Sequence, residues 1–115
     1  MKRQLHKLFT DILPLLAFIL VGACYELSEE TKSLIAKAEQ GEAVAQTNWG
    51  AMYYRGNGVH QDDVKAYAWI SVSSATGHEN ASANRDEIAK NMTPDQIDEG
   101  QKLAREWFEK YHSKE

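Results

Sequence analysis

One cysteine and two prolines among 115 residues leave this chain with few covalent or conformational staples. The lone thiol, Cys24, permits no intrachain disulfide. No segment sustains an alternation of apolar and polar residues at period 2, so nothing predicts a strand. The patterns H-E-x-x-H, C-x-x-C, G-x-S-x-G and S-x-x-K are all missing, which removes the usual sequence signs of zinc, thiol-redox and serine-nucleophile chemistry. No run of basic residues interleaved with aromatics is present, so nucleic acid is not an expected partner. Long apolar runs are missing too: the longest falls short of the roughly 20 residues that a membrane-spanning helix needs.

What is present begins with an export pattern. Lys2, Arg3 and Lys7 form a positive start, and Ile12 to Ala23 is an uncharged, mostly apolar run, with Asp11 at its edge. That combination predicts a signal peptide over residues 1–23. Leu20-Val21-Gly22-Ala23-Cys24 resembles a bacterial lipobox, in which small residues precede a cysteine that is acylated and becomes the new N-terminus. A free exposed thiol is a liability in an oxidising compartment, which favours lipidation of Cys24 over an ordinary cleavage site beside a stray thiol. The expected location is the periplasm, tethered to the membrane through that lipid. From Cys24 onward 10 basic and 16 acidic residues give a net charge of −6. The remaining length is one small domain, near the size at which a single core is marginal.

Helical punctuation divides the rest. Ser28 is placed to cap a first helix, with Glu29 and Glu30 in its first turn and Gly41 as its stop. Leu34, Ile35 and Ala38 supply that helix's apolar face. Ala45, Trp49, Met52 and Tyr53 follow at i, i+4, i+7 and i+8, one stripe of a second helix that ends at Gly56. Gly56-Asn57-Gly58 predicts a turn with positive φ at the glycines, and with Asn57 better suited to it than most residues. Without a preceding strand or a third glycine it does not read as a phosphate loop. Asp62 is the expected cap of a third helix over 63–76, with Ala66, Trp69, Ile70 and Ser73 facing inward and Gly77 closing it. Gly50 and Ala66 are small where the second and third helices must approach each other. Ala81, Ile88, Ala89 and Met92 make a weaker fourth stripe. Thr93-Pro94-Asp95-Gln96 is a capping box with proline at the first helical position, opening a last helix that carries Ile97, Ala104, Trp107, Phe108 and Tyr111.

The order Ala45, Trp49-Gly50, Tyr53, Gly56-x-Gly58-Val59, Asp62, Ala66, Trp69, Gly77 resembles the Sel-1-like repeat family, relatives of the tetratricopeptide repeats. The resemblance implies an all-α fold of tetratricopeptide-like α-α hairpins, a short solenoid of about five helices spanning 24–115. Its best repeat is 45–77 and its degenerate closing unit 78–112, where Trp107 echoes Trp69. Ser73 and Ser74 stand where that family usually carries alanine, a tolerable but slightly less stabilising departure, since a helical hydroxyl can bond back to the i−4 carbonyl. Solenoid units bury their faces only against neighbours, so the flanking helices must act as caps.

The family resemblance implies a protein-binding module in the cell envelope, not an enzyme, with another protein or an extended peptide as partner. A structural subunit of an envelope complex is the alternative. Some cysteine-rich secreted relatives are associated with penicillin binding; this chain lacks their paired cysteines, so a cell-wall or β-lactam hydrolase is disfavoured. No catalytic residue, metal ligand or cofactor is expected. His60, His78 and His112 fall in separate stretches without ligand spacing. Trp49, Tyr53, Trp69 and Trp107 lie on core stripes and read first as packing. Tyr54, Arg55 and Tyr67 lie off those stripes and are the candidate binding surface.

Overall fold

A computed structural model describes residues 27–112. The predicted signal peptide and the lipid site at Cys24 lie outside the described residues. Among the described residues the chain is entirely helical: α1 Glu29–Glu39, α2 Ala43–Arg55, α3 Asp63–Thr76, α4 Ala81–Ala89 and α5 Pro94–His112.

Local chemistry sets the ends. The Ser28 hydroxyl accepts from the Thr31 amide at α1, and the Asp62 carboxylate accepts from the Lys65 amide at α3. At α5 the capping box is complete. The Gln96 amide donates to Thr93 Oγ1 at 3.2 Å, and the Thr93 amide donates to Gln96 Oε1 at 2.9 Å. Each such cap contributes about 1 kcal/mol. At the other ends Gly41, Gly56 and Gly77 take positive φ, releasing the chain from α1, α2 and α3. Gly58 is also positive, at 77°, whereas Asn57 is not. The expected tolerance of Asn57 for positive φ is therefore unused, because the two glycines absorb the reversal.

Helix α3 is the centre of the molecule, packing against α2, α4 and α5, while α1 packs on α2. Its residues 66–70, 72 and 73 are all buried, so it is covered nearly all round. That explains why a single inner face of Ala66, Trp69, Ile70 and Ser73 was too narrow an expectation. Helices α2 and α3 run antiparallel: the Ser73 hydroxyl near the end of α3 reaches the Ala43 carbonyl at the start of α2, and the Asp62 amide reaches the Tyr53 carbonyl at the opposite end. Helix α5 runs in the same direction as α3. Tyr67 meets Gly100 and Gln101 early in both helices, and Val72 packs with Ala104 and Phe108 a turn or more later.

Two glycines decide how closely these helices come. A Cβ on Gly50 would stand 2.6 Å from Ile70 Cγ1 and 3.1 Å from the Ala66 carbonyl oxygen. On Gly100 it would stand 2.7 Å from Tyr67 Cδ1. Gly50 is the close approach the sequence suggests; Gly100 sits mid-helix, where glycine costs about 1 kcal/mol against alanine, and gives no warning of its role.

Candidate functional site

Of the residues that carry the family resemblance, Ala45, Trp49 and Trp69 are buried where α1, α2 and α3 meet, whereas Gly56, Gly58 and Gly77 are exposed. Ala38, Ala45, Trp49 and Trp69 are buried together, with Val59 folded beneath the glycine turn and Tyr53, Trp107 and Tyr111 packed around them. Trp69 lies 4.7 Å from Trp107 and 5.5 Å from Tyr111 between ring centroids, so α5 closes over the hairpin through an aromatic stack. Trp49 and Tyr53 meet edge-on at 4.7 Å. Tyr53 is half-buried, and burial together with the nearby Asp62 carboxylate pushes its phenol above the ordinary value of about 10.

A polar seam runs along the opposite edge of the α2–α3 contact. The Ser73 hydroxyl donates to the Ala43 carbonyl at 2.6 Å, which uses its only proton. Thr47 must then be the donor in its 2.6 Å bond with Ser73. That leaves Thr47 Oγ1 to accept from His78 Nδ1 at 3.4 Å, assigning the proton to that ring nitrogen. Gln46, only 1 % exposed, donates to the Ala38 carbonyl at 3.0 Å and receives Thr76 Oγ1 at 3.2 Å, tying α1 to the α2–α3 pair. Ser73 therefore bonds across to α2 and not back to its own helix. Ser71 does bond back, to the Tyr67 carbonyl, and Thr76 shares its one proton between the Val72 carbonyl at 2.8 Å and Gln46 Oε1. The sequence reading passed over Gln46, although a glutamine one place from the stripe residue Ala45 was the available signal.

The three candidate surface residues do not share a surface. Tyr54 is 37 % exposed and Arg55 is exposed; both line a shallow groove between α2 and α4, with Thr47, Ala51, Asn84 and Glu87 at its sides and Ile70 and Ile88 beneath. Asn91 Nδ2 donates weakly to the Tyr54 hydroxyl at 3.5 Å across that groove. Tyr67 is 6 % exposed and belongs to the core with Ala66, Ile70, Ala81, Ile88 and Met92. Its assignment to an exposed binding surface is corrected: the missing Cβ of Gly100 lets the ring pack closely against α5, so a residue off the α3 stripe is covered by a helix the stripe did not anticipate. Only its edge reaches a second groove, between α3, α4 and α5.

Among the described residues no group of three or more His, Cys, Asp and Glu side chains could hold a metal ion. No described helix is long and apolar enough to cross a membrane. Compared with known proteins, the chain matches no family model and no curated sequence.

Proposed function

We propose that the chain is a small helical-repeat binding module of the Sel-1-like kind, exported to the periplasm and tethered there through an acylated Cys24. It makes and breaks no bond. Its partner is another protein or an extended peptide, received in the groove between α2 and α4. The observation that carries this reading is the pairing of Tyr54 and Arg55 there. They are an exposed aromatic and an exposed guanidinium, residue types enriched where binding energy concentrates. They sit beside apolar floor residues on a rigid pair of helices. The family-like signature supports the scaffold half of the proposal, because each of its residues serves packing, a cap or a turn, and none is spent on chemistry.

The test is capture from envelope extracts by the full chain and by its Tyr54→Ala/Arg55→Ala variant. Arg55 is exposed and Tyr54 is 37 % exposed, so the variant should stay folded and lose about 1–2 kcal/mol against the parent. A partner retained by the parent should be lost, or bound at least roughly tenfold more weakly, by the variant. Equal capture by the two proteins would remove the α2–α4 groove from the account.

A further inference from the structure

The turn between α2 and α3 holds the chain's one asparagine that is followed by glycine, Asn57–Gly58. An asparagine carboxamide can be attacked by the backbone nitrogen of the next residue, provided that nitrogen is bare and approachable. The structure separates the asparagines on this point. Asn48 and Asn84 lie inside α2 and α4, where the amides of Trp49 and Arg85 are committed to the helical ladder. After Asn80 the Ala81 amide donates to the His78 carbonyl at 3.2 Å, and after Asn91 the Met92 amide donates to the Ala89 carbonyl at 3.1 Å. The Gly58 amide donates to nothing among the described residues.

The surroundings favour the same bond. Asn57 is exposed, and its carboxamide has no hydrogen-bond partner among the described residues. Gly58 carries no Cβ, and where one would stand only Met52 Cε comes within 4 Å, at 3.6 Å. No side chain therefore shields the nitrogen, and glycine's backbone freedom lowers the cost of closing a ring there.

We infer that Asn57–Gly58 is a self-modification site, at which Asn57 converts to aspartate and isoaspartate through a cyclic imide. The Gly58 nitrogen gives its proton to water or hydroxide and bonds to Cγ of Asn57. The Cγ–Nδ2 bond breaks, and Nδ2 leaves as ammonia with a proton from solvent. Water then opens the imide ring at either carbonyl. Opening at Cγ restores the main chain with a side-chain carboxylate. Opening at the backbone carbonyl carries the main chain through Cγ and leaves the carboxylate on Cα. One water is consumed, one ammonia is released, and no oxidant or reductant takes part.

The isoaspartyl product acts on the fold. It adds a main-chain carbon just before Gly58, whose φ of 77° helps to reverse the chain. The turn is fastened by the Asn57 amide on the Met52 carbonyl at 3.0 Å and the Asp62 amide on the Tyr53 carbonyl at 2.9 Å. A carbon inserted between those two bonds lengthens the span they close, so the α2–α3 hairpin loosens. Aspartate adds only a charge, just past the negative end of the α2 dipole.

The experiment incubates the full chain at neutral and mildly alkaline pH beside a synthetic peptide spanning 54–60, and maps the products by mass and chromatography. Asn57 should show the mass change of amide-to-acid exchange at least about tenfold faster than Asn48, Asn80, Asn84 or Asn91. Its rate in the folded chain should stay within about tenfold of the free peptide's and rise with pH. Both aspartyl and isoaspartyl products should appear, and Asn57→Ala should abolish them while the chain stays folded. The separated isoaspartyl fraction should melt below both the parent and Asn57→Asp. Conversion no faster at Asn57 than elsewhere, aspartate without isoaspartate, or a folded chain still unchanged when the free peptide has converted would each overturn the inference. Isoaspartyl protein that melts with the parent would overturn the loosening of the turn. Capture of a protein partner through Tyr54 and Arg55 is independent of all these outcomes, so the two readings fail separately.

Discussion

Gly100 has the sharpest single-residue consequence. On an exposed helix face Gly100→Ala would gain about 1 kcal/mol of helix propensity. Here the added methyl would meet Tyr67 Cδ1 at 2.7 Å, and the ring is held by Ile70, Ala81 and Ile88. Overpacking of this kind costs about 1–3 kcal/mol and should outweigh the propensity gain. Urea denaturation should therefore place the variant below the parent; a variant more stable than the parent would mean that Tyr67 has room to move. Tyr53 makes the second residue-scale prediction. Its phenol is held above the ordinary value by burial first and by Asp62 second. The folded state thus binds that proton more tightly than the unfolded chain. The resulting stability is intact below about pH 10 and is lost as pH rises through the raised folded value. Melting measured on both sides of pH 10 should fall less steeply for Tyr53→Phe than for the parent, and parallel slopes would contradict the assignment.

At the scale of elements, the turn between α2 and α3 separates two kinds of loop residue. Gly58 holds φ at 77°, and a Cβ there would meet nothing closer than Met52 Cε at 3.6 Å. The obstacle to substitution is therefore backbone strain and not space. Gly58→Val should cost about 1–3 kcal/mol. Asn57 is exposed, with an ordinary φ, and its amide bond to the Met52 carbonyl survives side-chain truncation. Asn57→Ala should stay within about 0.5 kcal/mol of the parent. Thermal melts of the two variants decide the matter, and similar losses in both would mean the turn is not specified by glycine geometry. The same turn shows why the helices were legible in the sequence. Caps at Ser28, Asp62 and Thr93 and the glycine exits are local signals, set by one residue and its near neighbours along the chain. The interior of α3 was less legible, because its burial on several sides depends on where α4 and α5 return. No periodicity within residues 63–76 encodes that.

For the whole molecule, stability rests on a central helix wrapped by three others, closed by the Trp69, Trp107 and Tyr111 stack. The spacing of Trp107 and Tyr111 was readable as an inward face of α5, but their meeting with Trp69 is a long-range event. The candidate site was legible only in part for the same reason. Tyr54 and Arg55 are on the surface as their register implies, while Tyr67 is drawn inside by a glycine 33 positions later in the chain. The polar seam was legible only at Ser73, whose register on α3 points inward; its partners Thr47 and His78, and the neighbouring Gln46, lie off the apolar stripes and gave no such sign. What remains is the assignment of the α2–α4 groove as the face that meets a partner. The most direct test places a photo-reactive phenylalanine analogue at position 54, and in a separate protein at the exposed position 33 of α1, and irradiates each in envelope extract. A protein adduct is expected from position 54 and none from position 33. Adducts from both positions alike, or from neither, would contradict it.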